Sequence, residues 1–171
     1  MIGLLGALWG LTGILLLLGS AVYRLSSVAI AALSSDFLWY HWVSLSLSVL
    51  FMGYAEGYRA FQQGFSPRVA ARAKYLKNHP HILHALFGPF FCMAFFYAPL
   101  KRKITSVSVT AGVIVLIVLV RLLPQPWRGI IDLGVVVGLA WGFVSLVIFS
   151  FLAFTSETFD YSPEVPEKKT A

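Results

Sequence analysis

The sequence predicts an all-α membrane protein, a polytopic bundle of five spanning helices. Hydrophobic residues make up 58% of the 171 positions and charged residues 12%, and the mean hydropathy is +0.81. An ordinary soluble core cannot absorb so much apolar surface. The apolar residues also come in continuous runs of the length that a spanning helix needs, about 20 residues. Continuous runs exclude a transmembrane β-barrel, whose strands alternate in short segments.

Five apolar windows are long enough to cross a bilayer, and each ends at charges, prolines or capping residues. They are residues 2–23, 37–58, 82–100, 104–123 and 129–154. The Val-rich and Ile-rich fourth window would favour a strand in a soluble protein, but in lipid the backbone must bond within itself and a helix forms. The first window lacks a basic leader, so we interpret it as an uncleaved span. Residues 1–155 are thus expected to form one transmembrane domain.

The third window, residues 82–100, has two interpretations. With five crossings, the positive residues divide seven to six between the two sides, and the positive-inside rule does not orient the chain. If this window, interrupted by Gly88-Pro89 and ended by Pro99, dips in and returns, the division becomes ten to three. Proline kinks are common in packed spanning helices, so five crossings is our prediction. Four crossings with a re-entrant segment is the alternative.

A short amphipathic helix is expected on the membrane surface over residues 67–77. Pro67 suits the first turn of a helix, and Val69, Ala73 and Leu76 fall on one helical stripe. Basic residues flank that stripe and could bind anionic lipid head groups; they are Arg68, Arg72, Lys74 and Lys77. The alternative is a solvated basic loop that only orients the chain.

A polar stripe follows the second window. At 100° per residue its members fall within about 120° of one another, so the stripe should face the bundle interior; they are His41, Ser44, Ser48, Glu56 and Arg59. Ionisable groups at membrane depth suggest a proton or solute path, with Glu56 as the strongest candidate. We expect Glu56 to be paired, with Arg59 as its nearest partner. In the alternative, this pair and serine bonds to backbone are all that the stripe provides.

With five crossings, the loop between the fourth and fifth windows, residues 121–128, which we call the fourth loop, shares a side with this stripe, and the polar residues would converge in one vestibule. Besides the stripe, its members would be Tyr54, Tyr58, His81, His84, Arg121 and Asp132. The alternative is an ordinary ring of interfacial aromatics and ion pairs, in which Asp132 follows Arg128 at i+4.

The run HPHILH places His79, His81 and His84 within six residues, as in some metal sites. No second motif completes such a site, and interfacial histidines at a helix start are the alternative. Two-histidine haem ligation within one chain is disfavoured, because His41 is separated from this run by the length of a helix, roughly 25 Å or more. Cys92 is the only cysteine, which excludes an intramolecular disulfide.

Small residues recur every four positions on two windows, where they let backbones approach closely. They are Gly6 and Gly10 on the first window and Gly134, Gly138 and Gly142 on the fifth. We expect these two faces to pack together, with homo-oligomerisation as the alternative. The tail, residues 156–171, is rich in acidic residues and proline and is expected to be mobile.

The function predicted from this pattern is transport of a small solute or proton, or an accessory role in a membrane complex, through the polar vestibule. The alternatives are a metal-, haem- or quinone-binding enzyme and a structural or assembly factor. The basic residues lie at the ends of apolar runs, which excludes nucleic acid as a partner. The expected partners are the bilayer with its anionic lipids and a membrane-complex subunit or a second copy, and the expected location is a bacterial inner membrane or its equivalent. The sequence names no cofactor.

Overall fold

The computed structural model describes residues 2–34, 37–156 and 159–166. Across these ranges the chain is helical and contains no strand, which confirms the all-α class. In chain order the elements are α1 (Ile2–Leu33), α2 (Trp39–Met52), a π-helix (Gly53–Phe65), α3 (Ser66–Asn78), α4 (Ile82–Leu86), α5 (Gly88–Cys92), α6 (Leu100–Arg121) and α7 (Trp127–Thr155).

Three of these helices, α1, α6 and α7, are long and apolar enough to cross a membrane. α1 and α7 contain the first and fifth windows, and α6 contains the fourth window except its last two residues; five spans are not confirmed. α1 continues about ten residues beyond its window, through Ser26 and Ser27. Their hydroxyls donate to the carbonyls of Val22 and Arg24, so these polar side chains are satisfied inside the helix.

The second window is the first half of a much longer helical run. Met52 and Phe65, where α2, the π-helix and α3 meet, both have right-handed helical backbone angles. The chain therefore stays helical from Trp39 to Asn78, and we call this stretch the long run.

The surface helix predicted over residues 67–77 is wrong, because these residues form the last part of the long run. The stripe of Val69, Ala73 and Leu76 is buried in the core against α1 and α7. An amphipathic stripe records only that one face meets an apolar medium, and here that medium is protein rather than lipid.

α1, the long run and α7 form a three-helix bundle. The ends of α1 fix its direction: Gly3 lies against the carbonyls of Leu76 and Lys77, and Ala32 lies against Gly129. α1 is therefore antiparallel to both the long run and α7. End A holds the last turn of α1 and the first turns of α2 and α7, and end B holds the opposite termini.

A single helix over residues 82–100 is wrong, because α4 and α5 are followed by turns up to α6. Gly88, Pro89 and Pro99 interrupt helical hydrogen bonding here, and Ala94 and Tyr97 adopt left-handed backbone with φ of 63° and 49°. The segment packs down α1, with Pro89 against Gly13. It then returns to α3, where the carbonyls of Phe96 and Tyr97 meet Arg72. It begins and ends at end B.

The glycine stripes lie in the interior but not against each other. On α7, Gly134 meets Ser48, Gly138 meets Glu56 and Gly142 meets Phe61, all on the long run; on α1, Gly6 meets Ala85 and Gly10 meets Gly88. α1 and α7 are neighbours along much of their length, as predicted, but the predicted contact between their two glycine stripes is wrong. A stripe of small residues predicts that another backbone packs closely against it, but not which segment that is.

α6 stands away from the bundle. Only 6% of its apolar window is buried, against 39% for α1 and 22% for α7. Within the described residues, Val120 is its one buried side chain. A Cβ added at Gly112 would meet nothing within 4 Å. Of the three long apolar helices in the described residues, α6 is thus the one that is almost uncovered.

Candidate functional site

The predicted polar vestibule does not form. His81 and His84 lie at end B. Arg121 is the last residue of α6 and Asp132 lies near the start of α7, both at end A. The prediction was wrong because it assumed that residues 82–100 cross the membrane. Since that segment returns to end B, the fourth loop lies at the opposite end from the histidines.

Two residues of the polar stripe, His41 and Ser48, make hydrogen bonds that hold the helices in place. The Nδ1 atom of His41, which is 5% exposed, accepts a hydrogen bond of 3.2 Å from the Leu38 N–H and so closes the start of α2. Ser48 Oγ donates to the Ile130 carbonyl at 3.1 Å and ties α2 to α7. The other positions of the stripe and its aromatic neighbours are half-buried or exposed: Ser44, Tyr54, Tyr58 and Arg59.

Glu56 does not pair with Arg59 as predicted. The ion pairs among the described residues are Arg102–Glu164 and Arg128–Asp132, and Glu56 takes part in neither. Its carboxylate instead lies against Gly138, with Oε2 3.0 Å from the point where a Cβ would stand. The prediction failed because it assumed α-helical spacing. The i→i+5 bonding of the π-helix takes more residues per turn, so positions i and i+3 no longer face one another.

Asp132 and Trp141, both on α7, each have a polar partner. The Asp132 carboxylate is buried, and its Oδ2 lies 3.7 Å from Arg128 Nε, the predicted i+4 pair. Trp141 Nε1 donates to Gln62 Oε1 at 2.7 Å, a partner that the sequence did not indicate.

The histidine run divides between two aromatic contacts. The rings of His81 and His84 lie 4.7 Å apart, and the His84 ring also contacts Tyr97 at 4.6 Å. His79 instead stacks on Tyr75 at 4.4 Å. Within the described ranges, no three His, Cys, Asp or Glu side chains are grouped as metal ligands. The structure therefore brings no third ligand to the histidine pair.

The most completely satisfied polar group at end B is the guanidinium of Arg72. The residue is 1% exposed, and its guanidinium carbon lies 4.3 Å above the centre of the Phe91 ring. Nε donates to the Phe91 carbonyl at 2.6 Å, and Nη2 donates to those of Phe96 and Tyr97 at 3.0 and 3.1 Å. One arginine on α3 thus holds the returning segment to the bundle.

The third nitrogen of Arg72 binds the C-terminal tail. Nη1 donates to the Pro163 and Glu164 carbonyls at 2.9 and 3.3 Å. The Glu164 carboxylate accepts two further hydrogen bonds, from Nε and Nη2 of Arg102 on α6. Val165 packs against the core. We call residues 159–166 the strap. The tail was predicted to be mobile, but its described part is bound; positions 157–158 and 167–171 lie outside the described residues.

Burial sets the electrostatics of this site. It lowers the pKa of Arg72 to about 10, so the guanidinium stays protonated at neutral pH. Burial also lowers the pKa of Arg68, and the nearby charge of Arg102 lowers it further, while Glu164 acts in the opposite direction. The strap carboxylate therefore compensates a cluster of three arginines.

The basic residues predicted to bind lipid head groups have different surroundings. Arg72 is enclosed by protein and donates to backbone carbonyls, so it does not lie on an exposed basic surface as predicted. Lys74 Nζ donates to the Ser156 carbonyl at 3.0 Å. Lys77 Nζ lies 5.2 Å from the centre of the Phe154 ring, and Arg68 is half-buried. The sequence did not disclose the Arg72 site, because its acceptors are backbone carbonyls that any residue could supply.

Comparison with known proteins adds no analogy, since no family model, no curated protein and no solved structure matches the chain. The geometry described above is therefore the basis for any functional proposal.

Proposed function

We propose that this chain is a multi-pass membrane protein with an accessory or assembly role in a membrane complex, and that a partner helix covers α6. The observation that supports it is the exposure of α6, which is 22 residues long and almost uncovered by its own chain. Its two ends are nevertheless fixed. Ser106 Oγ donates to the Met93 carbonyl at 2.9 Å, Arg102 binds Glu164, and Val120 is buried near the other end.

The surface of α6 suits helix packing in lipid. Apolar surface alone does not drive helices together there, whereas small residues allow close approach and good van der Waals contact. Ser108 and Gly112, at i and i+4, are both exposed, and the space beside Gly112 is open. Most of the flanking side chains are Val or Ile, whose few rotamers limit the entropy lost on packing. The expected occupant is a transmembrane helix of another chain with its own small-residue face.

This proposal includes four membrane crossings, made by α1, the first part of the long run, α6 and α7. Residues 82–100 return to end B without crossing. Among the described residues, seven positive side chains then lie toward end B, on α3 and at the start of α6, and three toward end A. The positive-inside rule would place end B in the cytoplasm. The three at end A are Arg24, Arg121 and Arg128.

Transport and the metal-, haem- or quinone-binding enzyme stay predictions. The vestibule on which transport rested does not form. Two cavities along the outside of α1 are lined mainly by apolar side chains, one beside Trp9 and Ala85 and the other beside Leu15 and Phe143. Such linings suit lipid chains rather than a polar solute.

The test is the change Gly112→Leu, which fills the open space on α6. We expect roughly a tenfold loss of the partner complex, the loss that about 1.4 kcal/mol produces. Native gels of membranes extracted in mild detergent measure it. Ile114→Trp is the matched control, because it adds bulk about 200° around the same helix. A photo-crosslinking residue at position 112 should capture a membrane protein. Capture of a second copy would make the partner this chain itself. A monomer on the gel whose crosslinks reach only lipid would refute the proposal.

A further inference from the structure

The structure assigns a second role to the strap. We propose that Arg102 and the strap-facing nitrogen of Arg72 form a binding site for a phosphate group, which Glu164 of the same chain occupies here. This inference does not depend on the partner of α6, because every contact in it lies at end B within one chain.

The donors of Arg72 divide into two sets. Nε and Nη2 bind the carbonyls of Phe91, Phe96 and Tyr97, which belong to the returning segment. Nη1 binds only carbonyls of the strap. If the strap leaves, the returning segment stays attached and one charged N–H donor loses its carbonyl acceptors. Hydrogen bonds between two charged groups are stronger than those to a neutral carbonyl, so the vacated position would attract an anion.

Arg102 supplies the fork that recognises the incoming group. Its Nε and Nη2 bind the two carboxylate oxygens of Glu164, with Nη2–Oε1 at 2.6 Å. The same planar fork fits two oxygens of a phosphate, which carries more acceptor oxygens than a carboxylate. Arg68 is near enough to Arg102 and Glu164 for both charges to affect its pKa. Three arginines around one carboxylate leave an excess of positive charge, which a phosphate would neutralise better.

The present occupant can be exchanged. The side chains of Arg102 and Glu164 are 28% and 31% exposed, so a competing anion can reach the pair. Glu164 adopts left-handed backbone with φ of 46°. For a residue with a Cβ this conformation is unfavourable, and Glu164 could relax from it on leaving the site. Lys101 and Lys103 flank Arg102 in sequence and add to the positive field that attracts anions.

The phosphate can come from an anionic lipid head group or from solution, and two arms of one experiment separate these sources. The full-length protein is placed in nanodiscs of phosphatidylcholine alone, or of phosphatidylcholine with phosphatidylglycerol; inorganic phosphate is added to the first set. A spin label on Asp160→Cys, in a Cys92→Ala background, reports the mobility of the strap. Native mass spectrometry counts the phosphatidylglycerol molecules that stay bound.

We expect the spin label to gain mobility when phosphatidylglycerol or inorganic phosphate is supplied. The condition that produces the gain identifies the source of the phosphate. Glu164→Gln removes the competing charge and should raise the affinity for that phosphate several-fold. Arg102→Gln should abolish the gain. Asp160→Asn is the control for lipid counting, because it removes a carboxylate of the strap that has no hydrogen bond among the described residues.

Two results would overturn the proposal. One is that the mobility of the spin label changes with neither phosphate source when Arg68, Arg72, Arg102 and Glu164 are all unaltered. This measurement does not depend on whether a variant at those positions folds. The other is phosphate binding that is unchanged in both Glu164→Gln and Arg102→Gln, which would show that the anion sits elsewhere.

Discussion

Replacing Arg72 with glutamine is expected to lower the free energy of unfolding by at least about 3 kcal/mol. The guanidinium donates to five carbonyls from two segments. A glutamine amide has two N–H donors, so at least three carbonyls, all of them buried or part-buried, would lose their partner, at about 1–3 kcal/mol each before relaxation. Unfolding of the purified protein in detergent by increasing denaturant measures the loss. Proteolysis of the strap should become faster in the same variant.

Arg24→Gln provides the control for Arg72→Gln. Arg24 lies exposed on α1, with no hydrogen bond or ion pair from its side chain among the described residues, so its loss should change stability by no more than about 0.5 kcal/mol. Arg72→Lys should resemble Arg72→Gln rather than the original protein, because an ammonium is a compact charge and cannot reach carbonyls on opposite sides. Equal stability of the Arg72 and Arg24 variants would show that Arg72 does not organise end B.

Gly88→Ala is expected to have the next largest effect. A Cβ at this position would stand 2.8 Å from the Gly6 carbonyl oxygen, 3.0 Å from the Gly10 nitrogen and 3.1 Å from its Cα. All three atoms are backbone, so α1 and α5 must separate to admit one methyl group. Overpacking of this kind costs about 1–3 kcal/mol. We therefore expect a lower unfolding midpoint and a returning segment that is more easily cleaved by protease.

A glycine-to-alanine change on α6 separates the effect of steric crowding on stability from the effect of helix propensity. Gly112→Ala adds a methyl group where nothing lies within 4 Å. Because alanine favours a helix over glycine by up to about 1 kcal/mol, this change should be neutral or stabilising in the isolated protein. Similar destabilisation by Gly88→Ala and Gly112→Ala would mean that α5 does not pack on α1 as described.

The helical class could be predicted from the continuous apolar runs alone. That prediction requires no knowledge of tertiary contacts. The glycines likewise revealed that backbones approach closely. Their neighbours could not be predicted, since Gly10 meets Gly88 and Gly134 meets Ser48 through the path of the whole chain. Residues 82–100 show the limit of hydropathy, because an apolar segment that is covered by protein looks the same as one that is covered by lipid.

The candidate site escaped prediction for a different reason. Arg72 was placed on a basic surface because its neighbours in sequence are basic, whereas its partners are backbone carbonyls from the returning segment and the strap. Backbone acceptors have no signature in residue type. Tyr97 and Glu164 both point their carbonyls at Arg72 from left-handed backbone, a conformation unusual for residues other than glycine. The pairing of Glu56 with Arg59 failed because a π-helix was not foreseen.

The central claim is that residues 82–100 enter and leave at the same end of the bundle, and cysteine accessibility tests it most directly. In a Cys92→Ala background, single cysteines replace the exposed residues Asn78, Lys101 and Gln125. They are labelled with an impermeant maleimide in sealed vesicles of both orientations. The structure predicts that Asn78→Cys and Lys101→Cys react from one side and Gln125→Cys from the other. Reaction of Asn78→Cys and Lys101→Cys from opposite sides would restore five crossings and contradict this architecture.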